Sequence, residues 1–337
     1  DPNISKNRRN TKLSFVTDPF EPGSVFKTLT VASALENNLI TADTNYYCEK
    51  GKYRVGNHYI KESDSKHAYE WLSVAEILKY SSNIGTTKIA FDLTYPVLKE
   101  TLKKFRIGVK TAIEIPGESR GILEKKENIK PLRLSNISFG QGVATTGIQM
   151  LSAYAAFANG GYYVKPTILK VKDPSKIKKE RIISEKTAKS ITEMLVQVVE
   201  DGTGGKAKIN HFTIAGKTST AQRVDPKGGY KGYVPGFVGY PVNIDKRFIV
   251  FAYVDNPTKN GYYGNLVAAP IFQNITKNIL YKNRKFNQLS HIKEDNHKTL
   301  DNIHIKYAAK RKIVKGIAPN LIGLDKGSAF KILDSIG

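Results

Sequence analysis

The sequence predicts an α+β fold, and two observations carry that prediction. Segments with helix-period apolar spacing fill most of the chain up to about residue 200. A block of short β-rich runs, broken by Gly, Pro and Asp turns, follows them. Helices and strands that are segregated along the chain, rather than alternating, argue against a parallel α/β sheet. With 337 residues, 40% of them apolar, the chain can build a sizeable core and one large or two modest domains.

Taken in order, residues 1–23 are polar and turn-rich and end in Glu21-Pro22-Gly23. Val25, Phe26, Leu29, Ala32 and Leu35 then fall at helical spacing, and the preceding Pro and Gly suit a helix start. Residues 41–70 read as loop or short strands. Val74, Ile77 and Leu78 predict a helix over Trp71–Tyr80. Further helices are expected over Leu98–Phe105 and Ile148–Asn159, the second stopped by Gly160-Gly161. An amphipathic helix over Lys186–Glu200 ends at Asp201-Gly202. Phe212–Ala215, Phe237–Val242 and Arg247–Val254 read as strands, and Ala268–Tyr281 as a closing helix. Residues 283–316 are basic and polar and read as a linker. A small last unit covers 317–337. The chain has no internal repeats.

Charge limits the function classes. The chain has 53 Lys+Arg against 30 Asp+Glu, a formal net charge of +23. That balance suits an anionic neighbourhood, whether nucleic acid, acidic lipid or a cell-wall polymer, or else a plain solvated lysine surface. No zinc-finger spacing, RNP-like aromatic motif or base-reading basic helix is present, so nucleic acid is set aside. The single cysteine, Cys48, cannot form an intramolecular disulfide. No stretch reaches the ~18–20 apolar residues of a membrane span, and no signal peptide opens the chain. It starts at Asp1-Pro2-Asn3 without an initiator Met, as a piece of something longer would, and an N-terminal anchor is expected outside it.

Three short constellations carry chemistry. Ser24 and Lys27 stand at i and i+3, neighbours on one helix face. A serine in the first turn sits near the positive helix end and near free backbone N–H groups. Its hydroxyl needs an adjacent base, and Lys27 can be that base only if its environment makes it neutral. Ser81 and Asn83 flank one residue, so an extended loop would aim both side chains one way. That hydroxyl could relay a proton, and the amide could hold a peptide group. Ile214–Ala221 is a strand rich in small and hydroxyl residues, with Lys217, Thr218, Ser219 and Thr220 in sequence. A strand edge of that kind can bind a carboxylate and offer N–H groups to an acyl group. Each constellation taken singly is commonplace: an incidental tetrapeptide, a turn, an edge strand.

Together, and in this order, they resemble the signature of penicillin-binding proteins and serine β-lactamases: S-x-x-K, then S-x-N, then a Lys-Thr strand. Flanking phrases narrow the resemblance to class B penicillin-binding proteins. These include Glu21-Pro22-Gly23-Ser24, Phe139-Gly140-Gln141-Gly142, Gly202-Thr203-Gly204 and Ala215-Gly216-Lys217-Thr218. Ser82-Asn83-Ile84-Gly85-Thr86-Thr87-Lys88 is similar to the septal cell-division subgroup. The resemblance covers residues 1–282 as a transpeptidase domain. It implies the penicilloyl-serine transferase fold, a helical lobe against a five-stranded antiparallel sheet. It also implies a peptidoglycan D,D-transpeptidase that forms cross-links through a Ser24 acyl-enzyme and is acylated by β-lactams.

Carried over residue by residue, the resemblance makes Ser24 the nucleophile and Lys27 the base. Ser81 shuttles a proton, Asn83 binds the donor amide, and Lys217 holds charge. Thr218, Ser219 and Thr220 bind substrate, and the backbone N–H groups of Ser24 and Thr220 form the oxyanion hole. No metal or organic cofactor is implied. The implied partners are peptidoglycan stem peptides, β-lactam antibiotics and other cell-wall synthesis or division proteins, at the periplasmic face of the cytoplasmic membrane. A serine β-lactamase or D,D-carboxypeptidase would use the same motifs but deacylate to water. A non-catalytic wall-binding or β-lactam-sensing module would show no acylation.

One residue departs from the pattern. The family's Lys-Thr-Gly is here Lys217-Thr218-Ser219. Alternation along the strand should turn Ser219 away from Thr218 and Thr220, with its hydroxyl in the layer behind the strand and in need of a partner. The tail from Ile317 to Leu324 resembles the opening of a PASTA module, incomplete at Gly337. From its composition, the segment after residue 282 should be dispensable for acylation. Truncation after Tyr281 is expected to leave penicillin labelling within a few-fold, measured by intact mass; loss of labelling would show that the tail supports the catalytic domain.

Overall fold

The structure, a computed structural model, describes residues 13–64, 67–225, 228–244, 247–259 and 261–282. The expected linker and PASTA-like segment lie outside these residues. In chain order the helices are α1 (Ser14–Thr17), α2 (Lys27–Glu36), α3 (Val74–Tyr80), α4 (Asn83–Leu93), α5 (Tyr95–Lys104), α6 (Pro131–Ser138), α7 (Gly147–Ala158), α8 (Glu185–Asp201) and α9 (Gly264–Lys282). The strands are β1 (Asn45–Tyr47), β2 (Lys52–Val55), β3 (His58–Lys61), β4 (Trp71–Ser73), β5 (Tyr162–Val164), β6 (Lys179–Arg181), β7 (Ile214–Val224), β8 (Tyr230–Pro241) and β9 (Val250–Tyr253). This is the expected α+β class.

The main sheet is antiparallel with order β7-β8-β9. Three strands stand there among the described residues, against the five that the resemblance implies. β7 and β8 pair from Ile214 opposite Pro241 to Val224 opposite Tyr230, with a bulge between Gln222 and Val224. They run well beyond the short stretches that β-propensity marked, because glycines and polar residues continue the ladder. In the described sheet β7 is an edge strand, and the Gly23–Phe26 turn packs against it.

Two apolar cores hold the fold. The larger lies among α2, α3, α4, α5, α7 and α8, and includes Phe26, Leu29, Leu78, Phe105, Tyr154 and Phe157. The smaller packs α9 on the sheet through Ile214, Phe237, Ala268 and Phe272. Helix α8 joins them: Leu195 belongs to the first and Val199 to the second. Capping fixes several helix starts. Ser73 and Glu76 form a reciprocal capping box at α3, and Thr146 and Gln149 form one at α7. At α8, Ser184 accepts the Thr187 N–H, while the Glu36 carboxylate at the end of α2 accepts from Ser184 and Thr187.

Local chemistry explains where the sequence expectation moves. The helix expected over Trp71–Tyr80 is a strand, β4, followed by α3, because the Ser73 cap starts the helix only at Val74. Helix α4 was not expected; Ser82 caps it, accepting the Gly85 N–H at 2.9 Å. Helix α6 was not expected either; it has only eight residues, although Pro131 in its first turn is a helix-start signal.

Tyr154 ties the larger core to the segment that carries Ser24. It is fully buried, its hydroxyl donates to the Val25 carbonyl at 2.8 Å, and it lies 2.8 Å from Thr28 Oγ1. Tyr154→Phe leaves both groups short of a partner. The expected loss is about 1–3 kcal/mol of unfolding free energy, read from urea denaturation; an unchanged midpoint would show that these bonds contribute nothing.

Candidate active site

Ser24 lies in a 3₁₀ turn, Gly23–Phe26, immediately ahead of α2. It is therefore not within the α-helix proper, as the apolar spacing suggested, but in a tighter turn continuous with it. Pro22 and Gly23 make that turn, and Gly23 has φ +58°. Its N–H donates to the Gly140 carbonyl at 3.0 Å. The backbones approach so closely that a Cβ on Gly140 would overlap the Gly23 carbonyl oxygen. Phe139-Gly140-Gln141-Gly142 thus acts as a backbone seat for the Ser24 turn.

Lys27 opens α2 and is fully buried. Its Nζ donates to the Ser81 carbonyl and lies 3.2 Å from the Ser81 hydroxyl. Burial pushes its pKa down to about 7, against the opposing charge of Glu62. Near neutral pH a substantial fraction is therefore free base. The unfolded chain holds this proton more tightly, so stability gained from Lys27 grows as pH rises from about 7 toward 10.5.

Ser81 is not in an extended loop. It caps α3 in the left-handed conformation (φ 61°, ψ 41°), a strain of order 1–3 kcal/mol for a non-glycine residue. Asn83 begins α4 rather than continuing a loop. Its side-chain amide donates to the Lys61 carbonyl at 2.8 Å. Glu62 organises this junction: it accepts from the Ser82 hydroxyl at 2.6 Å and from the Asn83 N–H at 2.7 Å. Sequence reasoning missed Glu62, because a glutamate after a polar hairpin carries no local signal.

Lys217 is also fully buried, and its Nζ has no hydrogen-bond partner among the described residues. Burial first, and repulsion from Lys27 second, hold its pKa well below the usual lysine range. Thr218 bonds Thr203 at 3.1 Å, so the Gly202-Thr203-Gly204 phrase supports the third motif directly. Thr220 Oγ1 accepts the Gly264 N–H at 3.1 Å. Ser219 is buried and donates to the Pro22 carbonyl at 2.5 Å. The layer behind the strand that receives its hydroxyl is thus the Ser24 turn itself.

Ser24, Ser81, Asn83, Thr218, Ser219 and Thr220 line one cleft of about 870 Å³, as the three constellations required. Lys27 and Lys217 do not line it. His58 and Tyr59 from β3, and Tyr233, Tyr262 and Tyr263 near the sheet, complete its walls. The arrangement offers a hydroxyl at the cleft, a buried base with reduced affinity for its proton, a second hydroxyl on that base, and an unpaired lysine. It can perform acyl transfer through a serine ester.

Residues 1–277 match the family model described as the penicillin binding protein transpeptidase domain. The chain is 34% identical over 276 residues to stage V sporulation protein D of Bacillus subtilis, covering 79% of this chain and 43% of that protein. It is 32% identical over 267 residues to the peptidoglycan D,D-transpeptidase FtsI of Escherichia coli K12, covering 79% and 44%. The chain therefore spans half or less of the length of the curated relatives named here. The apo transpeptidase domain of Burkholderia pseudomallei penicillin-binding protein 3 superposes with TM-score 0.74 at 30% identity, covering 80% of this chain and 81% of that one. Penicillin-binding protein 3 of Mycobacterium tuberculosis, complexed with aztreonam, gives 0.75 at 29%, covering 84% and 67%.

The electrostatics give a signed expectation. Reaction of Ser24 with a penicillin should accelerate as pH rises through about 7, the range in which Lys27 loses its proton. Glu62 raises the Lys27 pKa, so Glu62→Gln should move that midpoint to lower pH. Acylation rates measured across a pH series check both; a midpoint that stays put or climbs in Glu62→Gln would remove Glu62 from the electrostatics of the base.

Proposed function

Because the chain belongs to the penicillin-binding protein transpeptidase family, we propose that it is a class B peptidoglycan D,D-transpeptidase. The observation that carries this is Lys27: fully buried and bonded to Ser81, with burial pushing its pKa down to about 7. Neutral Lys27 takes the proton of Ser24 Oγ as that oxygen attacks the carbonyl carbon of the penultimate D-Ala. The Ser24 and Thr220 N–H groups hold the tetrahedral oxyanion; one such donor typically contributes about 10²–10³ in rate. As the C–N bond breaks, Lys27 returns the proton through the Ser81 hydroxyl to the leaving terminal D-Ala amine. An ester on Ser24 remains.

In the second half, an amine of a neighbouring stem peptide attacks the ester. Its proton returns by way of Lys27, and Ser24 Oγ leaves with a proton. Thr218 receives the substrate carboxylate, and Lys217, buried behind the cleft, places charge beneath it. An unpaired buried lysine suits that role, since an arriving carboxylate supplies the partner its charged form needs. Asn83 orients the donor amide, and Thr220 supports its strand. The same geometry accepts a β-lactam, whose ring amide opens onto Ser24 without departing.

The relatives named FtsI and stage V sporulation protein D support a septal setting. The working location proposed is the periplasmic face of the cytoplasmic membrane, with an anchor in a segment outside this chain, and with other cell-wall synthesis or division proteins as partners. Among the described residues no helix is long and apolar enough to cross a membrane.

One penicillin is expected to add per chain, and peptide mapping should place it on Ser24. The adduct should persist for minutes or longer by intact mass. Rapid turnover of a chromogenic β-lactam would favour a β-lactamase, and labelling that survives Ser24→Ala would sink the assignment.

A further inference from the structure

We propose that the Ser219 hydroxyl is a positioning group that sets the gap between the two oxyanion donors. The proposal rests on the reading above, in which the Ser24 and Thr220 N–H groups hold the tetrahedral intermediate. Those donors belong to different elements, the Gly23–Phe26 turn and strand β7. Their separation therefore depends on how the strand is held against the turn.

Ser219 makes that connection. Its Oγ donates to the Pro22 carbonyl at 2.5 Å, and the residue is only 3% exposed. One end of the bond is next to Thr220 in sequence, and the other is two residues ahead of Ser24. Steric contact in the same place is already tight. A Cβ on Gly23 would lie 2.8 Å from Ser219 Oγ and 3.1 Å from Ala221 Cβ. The opposite side of the strand is fixed as well. Gly264 at the start of α9 donates its N–H to Thr220 Oγ1, and a Cβ on Gly264 would overlap the Ser219 carbonyl oxygen.

Strand β7 is thus held between the first residue of α9 and the Ser24 turn. On the turn side the Ser219 hydroxyl supplies a directional bond, where a glycine would supply contact alone. Direction matters here, because oxyanion donors act over a narrow range of about 2.7–3.1 Å. The hydroxyl is engaged by Pro22, so its effect should fall on the chemical step and not on ligand binding.

The test is stopped-flow acylation by a fluorescent penicillin, on the unaltered chain, Ser219→Ala and Ser219→Gly. It separates the non-covalent dissociation constant from the first-order acylation constant. Loss of one buried hydrogen bond predicts about fivefold slower acylation in both variants. Deacylation should slow by a similar factor, since it passes through the same oxyanion, while the dissociation constant stays within about twofold. An unchanged acylation constant in both variants overturns the positioning role, as does a loss carried wholly by the dissociation constant. Failure of the unaltered chain to acylate overturns the transpeptidase reading beneath it.

Discussion

Two lysine side chains share a buried layer beneath the cleft, and the surrounding structure answers to that fact. An ammonium removed from water must be paired, or it gives up its proton. Lys27 is given the carbonyl and hydroxyl of Ser81. Lys217 is given nothing among the described residues. The asymmetry suits the proposed reaction, in which one lysine exchanges a proton with a hydroxyl and the other meets an anion. Burial lowers both affinities for the proton, and repulsion from Lys27 lowers that of Lys217 further.

Much of the local strain serves this pair. Ser81 adopts a left-handed conformation at the end of α3, which turns its carbonyl out of the helix and toward Lys27. The next residues are fixed by a carboxylate, since Glu62 holds both Ser82 and Asn83. The arrangement is a short relay: hairpin to carboxylate, carboxylate to helix junction, junction to lysine. Its parts come from separate stretches of sequence, and their geometry is imposed by packing and not by local propensity.

The α+β class and several helices could be read directly, because α8 has a clear apolar face and α7 a long apolar run with a glycine stop. So could the three motifs, whose residue types are specific when they occur in order. What could not be read was anything created by an encounter of distant segments. The role of Glu62 arises only when the β2–β3 hairpin meets α4. The Ser24 turn is seated by a glycine backbone that packs against another glycine 117 residues on. The face on which Ser219 lies followed from strand alternation, but the neighbour on that face did not. Ser81 and Asn83 read as a loop because a cap and a helix start, one residue apart, leave no periodic trace.

The bond from Ser219 to Pro22 spans 197 residues of sequence. That separation has a consequence for how the protein comes into being. The Ser24 turn leaves the ribosome early, but the strand that completes its site, and the helix that seals that strand, are made near the end of the described chain. At roughly 5–20 residues per second the wait is tens of seconds. During it the helical segments have no sheet to close on. Contacts of such long range also slow the final docking, because the loop-closure entropy is lost before the contacts form. The cleft therefore draws on both ends of the described chain, and a chain interrupted before β7 would hold the Ser24 turn without the strand that packs against it.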